Sequence, residues 1–232
     1  MLNRAAAVLM VLFAMNAFAD GANKTAVRWN RDMAESSELL KRGEYDRALK
    51  IADRTIREML DRLGTGDAAT QAFGIVISHK ALALAGLGRK EEALWYWHTV
   101  ISLYPAFAKS DVSAFGEAGA FLDANRKPRK DDLFPSSSGE KHADVTAPVL
   151  QKQVTPRFPA GANYFGIKGK LIVSVVITRE GKVTWPVILQ ALPAPTLSYA
   201  ALEALRQWRF KPAMKDGRPC DAIFELTVNY VS

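Results

Sequence analysis

The stretch Lys170-Leu-Ile-Val-Ser-Val-Val-Ile-Thr178 sets Leu171, Val173, Val175 and Ile177 on alternate positions, the period-two pattern of a half-buried strand. Arg179-Glu-Gly-Lys182 supplies a turn, and Val183, Trp185, Val187 and Leu189 resume the alternation, so the two runs are predicted to form a β-hairpin. Pro186 has no N–H to give to a ladder, which puts the returning strand at a sheet edge. Beyond Pro193-Ala-Pro195, the residues Leu197, Ala201, Leu205 and Trp208 follow helical spacing and predict a helix laid over the sheet. After a turn at Lys215-Asp-Gly-Arg218, Phe224, Leu226, Val228 and Tyr230 alternate with Glu225, Thr227 and Asn229, a third strand with one wet face. With the proline strand at one edge, the simplest order is second, first, third, and the outer edge of the last strand is left open.

Toward the N-terminus the composition changes. Residues 126–147 hold Arg-Lys-Pro-Arg-Lys-Asp-Asp and Pro135-Ser-Ser-Ser-Gly with few apolar positions, which reads as a flexible linker. Residues 20–125 read as helical, with two hairpins over about 24–103 whose turns start at Gly43 and Gly88. Ala93, Trp97, Val100 and Ile101 form one inward face of the helix after Gly88, with Trp95 directed elsewhere, and a further helix is expected from Asp111 to Ala124. The paired strings Gly43-Glu-Tyr45-Asp-Arg-Ala48-Leu49 and Gly88-Arg-Lys-Glu-Glu-Ala93-Leu94, with Ala81, Trp97 and Pro105, resemble the tetratricopeptide repeat family. Their 45-residue offset exceeds that family's period of about 34, so the intervening helices must be longer than usual.

At the start, Arg4, the apolar run Ala5 to Met15 and Asn16-Ala-Phe-Ala19 follow the order of a secretory signal peptide, with cleavage expected after Ala19. Export makes the periplasm the expected compartment; an uncleaved segment would instead anchor the chain in the inner membrane facing the periplasm. Cys220 is the single cysteine, so stability has to come from burial rather than from an intrachain disulfide. The net charge of +7 is uneven. Residues 20–125 carry 14 basic and 15 acidic side chains, whereas residues 148–232 carry 11 basic and 5 acidic. Export and the lack of a nucleic-acid-binding motif exclude nucleic acid as the partner and leave acidic envelope partners. The three histidines, His79, His98 and His142, fall in no metalloprotease pattern, and no Gly-x-Ser-x-Gly or phosphate loop occurs. The sequence thus implies no enzyme, no cofactor, no metal and no small-molecule substrate; His79 and His98 on adjacent helices are the nearest approach to a metal pair.

Five landmarks occur in order over the last 85 residues or so: Pro156-Arg-Phe158-Pro159, Gly166-Ile-Lys-Gly169-Lys-Leu-Ile-Val173, Gly181-Lys-Val183, Ala200-Ala-Leu-Glu-Ala-Leu-Arg-Gln-Trp208-Arg209-Phe210-Lys-Pro212-Ala213 and Asp216-Gly217-Arg-Pro219. On these residues the segment 148–232 resembles the C-terminal domain of the TonB family. The resemblance implies a receptor-binding module that adds an extended segment, the TonB box of an outer-membrane TonB-dependent receptor, to the edge of its last strand. Carried onto this chain, that edge is Ile223, Phe224, Glu225, Leu226, Thr227, Val228, Asn229 and Tyr230. The segment ahead of the first strand also touches receptors in the family, which adds Phe158 and Thr155, the latter standing where members carry Gln. Energy-transducing members have a His-bearing membrane helix and a proline-rich spacer, which this chain does not match. The expectation is therefore a multidomain protein: a tetratricopeptide-like all-α domain, then a small α+β domain with a three-stranded antiparallel sheet and one packed helix. Its expected role is that of a non-catalytic periplasmic adaptor binding a receptor segment, another envelope protein or peptidoglycan. A transducer with an uncleaved anchor is the alternative.

Overall fold

A computed structural model describes residues 24–62, 68–127, 134–135, 145–158 and 168–231. The proposed signal segment lies outside the described residues, and no described helix is long and apolar enough to cross a membrane. The chain divides into two units between Arg126 and Lys127.

The first unit is helical: α1 (Lys24–Lys41), α2 (Tyr45–Arg62), α3 (Ala68–Gly86), α4 (Lys90–Leu103), 3-10 turns at Pro105–Lys109 and Ser113–Phe115, and α5 (Gly116–Ala124). Helix α2 is amphipathic, burying Ala48, Ile51, Ala52, Ile56 and Met59 on one face. Helix α3 is apolar on all sides, and Phe73, Val76, Ile77, Ala81, Leu82, Ala83 and Leu84 are all buried. It accordingly runs through the middle, packed against α1, α2, α4 and α5. The turns expected at Gly43 and Gly88 share one geometry. Each glycine has positive φ, 76° and 74°. Gly43 N–H bonds Leu40 O and Glu44 N–H bonds Leu39 O, while Gly88 and Arg89 make the same pair of bonds to Ala85 O and Leu84 O, the double bond of a Schellman stop. At Gly86 a Cβ would lie 2.4 Å from the Tyr45 ring, so only glycine lets the end of α3 pass the start of α2.

Ion pairs stitch the helices along their half-buried seams: Asp32, nearly fully buried, with Arg54 at 2.9 Å, Lys80 with Asp53 at 2.8 Å, and Arg28 with Glu58. The Lys80 ammonium also sits 4.1 Å from the Tyr96 ring centre. Trp95 and Trp97 are both buried, so Trp95 is core rather than a surface anchor. The helix expected from Asp111 is shorter. Asp111 Oδ1 accepts the Ser113 N–H at 2.9 Å, a 3-10 turn follows, and Gly116, at φ 57°, ends that turn and opens α5.

Arg126 ends this unit, and its side chain is turned inward rather than belonging to the linker expected from residue 126. Its guanidinium donates to Phe107 O at 3.1 Å, Ala108 O at 2.9 Å, Ser110 O and Asp123 Oδ1 at 2.6 Å, and it lies 5.2 Å from the Trp97 ring. These bonds bring a charged donor to carbonyls at the end of the short 3-10 turn, where Phe107 O also accepts the Ser110 N–H at 3.1 Å.

The second unit contains β1 (Phe134–Pro135), β2 (Val145–Thr146), β3 (Val149–Lys152), β4 (Lys168–Ile177), β5 (Val183–Gln190), α6 (Pro195–Leu205), β6 (Arg209–Lys211), β7 (Ala213–Lys215), β8 (Arg218–Cys220) and β9 (Ala222–Val231). The main sheet runs β1-β9-β4-β5, with β4 antiparallel to both neighbours. The order second, first, third therefore holds for the three long strands, and the proline strand β5 is an edge. The fourth strand departs from the expectation. Phe134 and Pro135, from the segment expected to be a linker, pair in parallel with Ala222 and Ile223. Val145 and Thr146 of that segment pair with β7. The turn at Asp216-Gly217 joins two short strands ahead of β9; both residues have positive φ, as a tight two-residue hairpin requires.

The inward alternation expected for β5 breaks at Trp185. Ser174 faces Val187 and Val176 faces Thr184, so two β5 residues oppose one on β4, and Trp185 takes φ 54°. This bulge reverses the faces downstream: Pro186 is buried, whereas Val187 and Leu189 are exposed. Leu197, Ala201, Leu205 and Trp208 are buried as the helical stripe demands, but Tyr199, Ala200, Leu202 and Ala204 are buried as well, so α6 is enclosed rather than one-sided.

Two predictions concern the helical unit. Replacing Arg126 by Ala is expected to lower its stability by about 1–2 kcal/mol in denaturant unfolding, because half-buried carbonyls lose a charged donor. Lys at that position should recover less than half. Burial pulls His79 and His98 down to about 4 from an ordinary 6.5, the bond between His98 and Asn125 O opposing the shift. Between those values the unfolded chain holds the extra protons, so the contribution of both residues is complete above pH 6.5 and lost as pH falls toward 4. Thermal melts between pH 7 and pH 4.5 should show this unit losing a few kcal/mol, with a shallower slope in His79→Phe.

Candidate functional site: the edge of the last strand

Strand β9 is placed by its ladder to β4. Ten successive pairs run from Lys168 opposite Val231 to Ile177 opposite Ala222 without a bulge. An unbroken register keeps the alternation intact, so Ala222, Leu226, Val228 and Tyr230 are buried, Phe224 is half-buried, and Glu225, Thr227 and Asn229 are exposed. The start of the strand is clamped by Asp221, whose Oδ1 accepts the Arg179 backbone N–H at 2.8 Å and lies 3.3 Å from its Nε.

The other side of β9 is the edge of interest. There β1 covers Ala222 and Ile223, and among the described residues no strand lies beside Phe224 to Asn229. Ile223, expected to belong to the open edge, is thus opposite Pro135 of the chain's own strand. Pro135 has no N–H, so it cannot donate to the ladder it joins. A strand arriving beside Phe224 to Asn229 would meet six residues of backbone, about 20 Å at the rise of an extended chain. Its neighbours on the wet face are Ser174, which pairs with Glu225, and Lys170, which pairs with Asn229.

Phe158 and Thr155 sit on a segment fixed at two points. Val154 O accepts the Trp208 indole N–H at 2.8 Å, and the Phe158 ring meets Tyr230 edge-on at 4.4 Å between centres. Phe158 is therefore in the packing under the strand, and Thr155 between the two ties is exposed. Trp208 and Phe210 form a core row with Phe224, at 6.4 and 6.0 Å. Gly181 closes that row from the hairpin. Its O accepts the Phe210 N–H at 2.9 Å, its φ is 75°, and a Cβ there would lie 1.8 Å from Phe210 O. Sequence reasoning missed the role of β1, since two residues in a Pro- and Ser-rich stretch show no periodicity. The indole bond to Val154 O was signalled only by the rule that a buried indole seeks an acceptor.

His79 and His98 have separate surroundings: His79 faces the Phe115 ring at 6.5 Å, and His98 Nε2 is 2.9 Å from Asn125 O. Among the described residues no group of three or more His, Cys, Asp or Glu could hold a metal ion. A cleft of about 210 Å³ in the helical unit is lined by Gln71, Ile75, Leu103, Tyr104, Pro105, Ala106 and Phe107. Burial raises the Tyr104 hydroxyl above its ordinary range, so it is neutral there.

The family model described as Gram-negative bacterial TonB protein C-terminal matches residues 154–231. "Protein TonB" of Vibrio cholerae serotype O1 is 32% identical over 71 residues, covering 31% of this chain and 29% of that protein. "Protein TonB" of Yersinia enterocolitica is 32% identical over 92 residues, covering 40% and 36%. The chain thus spans about a third of the length of the curated relatives it matches, and the helical unit lies outside the family match. Residues 154–231, from the Val154 that Trp208 holds to the end of β9, carry the C-terminal domain of the TonB family.

Proposed function

We propose that the protein is a non-catalytic periplasmic adaptor whose β9 edge takes up an extended segment of an outer-membrane TonB-dependent receptor by strand addition. The observation that carries this reading is the one-sided pairing of β9: ten pairs on the β4 side, two on the other, with no strand beside Phe224 to Asn229 among the described residues. Main-chain bonds supply the affinity, and the exposed Glu225, Thr227 and Asn229 supply whatever selectivity the wet face imposes. Phe158 acts through Tyr230, stiffening the strand rather than touching the partner. Thr155, exposed and short, makes at most a single hydroxyl contact. Preorganisation favours this role, because a strand held in unbroken register by β4 gives the incoming chain a template already in place.

The helical unit adds a second binding surface of tetratricopeptide type, supported by its two equivalent Gly-stopped hairpins and the close pass at Gly86. Two binding modules on one exported chain make an adaptor. The C-terminal excess of basic residues suits acidic envelope partners.

A photoreactive residue in place of Thr227, in the full-length protein within the cell envelope, tests the assignment. The expected outcome is a crosslink to the N-terminal extended segment of an outer-membrane receptor, abolished when free peptide of that segment is in excess. Crosslinking confined to other partners, or unaffected by the peptide, would contradict it.

A further inference from the structure

A second feature of the C-terminal unit lies on the ribbon β3–β6, away from the β9 edge in the strand order. Lys152 pairs directly with Arg209 on one side, and Lys182 bridges to Arg209 on the other. Residues directly opposite in antiparallel pairs project to the same face, so three cations from three distant parts of the chain stand in one row. Lys211, two residues along β6 and therefore on the same face as Arg209, adds a fourth; it pairs with Val149. Lys152, Arg209 and Lys211 are exposed, and among the described residues none of the three forms an ion pair with a carboxylate. The Arg209 Nη1 is spent on the backbone carbonyls of Arg206 and Trp208, at 3.2 and 2.7 Å, which holds the guanidinium in place without neutralising it.

Like charges directly opposite each other weaken a strand pair. The directly opposed Lys152 and Arg209 therefore cost the isolated domain stability, and an acidic partner lying across them offsets that cost. Two more observations specify the shape of that partner. β3 is the outer strand of its ribbon, with no other strand beside it among the described residues, and Val149 and Leu150 on it are exposed at 59% and 41%. Open backbone, exposed apolar side chains and a line of cations at strand spacing fit an extended peptide better than a flat surface, which would engage charges spread over a whole face.

We propose that the row Lys152, Arg209, Lys182 and Lys211 is a docking site for an extended acidic segment, with acidic and apolar residues, of a partner protein. The site is separate from the β9 edge, and Lys152 precedes the residues matched by the family model.

The test uses the full-length protein and a fluorescent octapeptide of alternating Glu and Val, with a Lys and Val octapeptide and phosphatidylglycerol–phosphatidylcholine vesicles as comparisons. The Glu peptide should bind at low salt and weaken about tenfold between roughly 20 and 200 mM salt. Lys152→Gln and Arg209→Gln should each weaken it about three- to tenfold while raising the melting temperature at low salt, because repulsion is relieved. A purely structural role would lower binding and melting temperature together. Equal binding by the variants, a parallel fall in both readouts, or binding of vesicles without binding of the Glu peptide would each overturn the proposal. Thr227 crosslinking reports on the other edge, so either site can fail without the other.

Discussion

The ten-pair ladder between β4 and β9 is the constraint on which the C-terminal unit depends. Because it runs without a bulge, every inward residue of both strands reaches the same core, and every outward residue of β9 stays wet. All irregularity is displaced to the other side of β4. There β5 carries the Trp185 bulge and a second register shift, so that edge is twisted and its apolar Val187 and Leu189 face outward. A strand edge presents an adhesive row of backbone groups, and bulges are a common means of blunting it. In this sheet the β5 edge is blunted by a bulge and a proline, while the β9 edge is straight. That asymmetry makes the β9 side the better suited of the two to the strand addition proposed above.

The same ladder explains why the chain's own β1 has consequence beyond a few hydrogen bonds. Among the described residues it pairs with Ala222 and Ile223, at the beginning of the edge. A partner strand would begin at Phe224, next to residues already held by the Asp221 clamp. The family match starts at Val154, so this cap comes from sequence outside the matched domain. The basic row on β3–β6 likewise combines Lys152, outside the match, with Arg209 and Lys211 inside it.

Much of this architecture is legible in the sequence, for physical reasons that can be named. Gly43 and Gly88 mark helix stops because positive φ is cheap only for glycine, and both positions prove to have it. The pattern from Lys170 to Ile177 and that of Phe224 to Tyr230 specify strands because one face of each is buried. Pro186 places β5 at an edge because it cannot donate. What remained hidden is what pairing alone decides. The run Val183, Trp185, Val187, Leu189 alternates perfectly as letters, yet a one-residue bulge inverts its second half. Phe134 and Pro135 form a strand only because β9 offers them an edge. Arg126 reads as the first residue of a linker, and the carbonyls that draw it inward lie 16 to 19 residues away. The cationic row joins positions separated by up to 59 residues, from Lys152 to Lys211, so no local charge count reveals it.

The proposed function rests on the contrast between a closed core and an edge with no strand beside Phe224 to Asn229 among the described residues. The measurement that tests this most directly is amide hydrogen exchange of β9 in the full-length protein, with and without a peptide from the N-terminal segment of a TonB-dependent receptor. The account predicts that amides from Phe224 to Asn229 which exchange freely in the unbound protein become protected on binding, while those already bonded to β4 do not change. Protection that appears elsewhere, or amides of Phe224 to Asn229 already fully protected before the peptide is added, would contradict it.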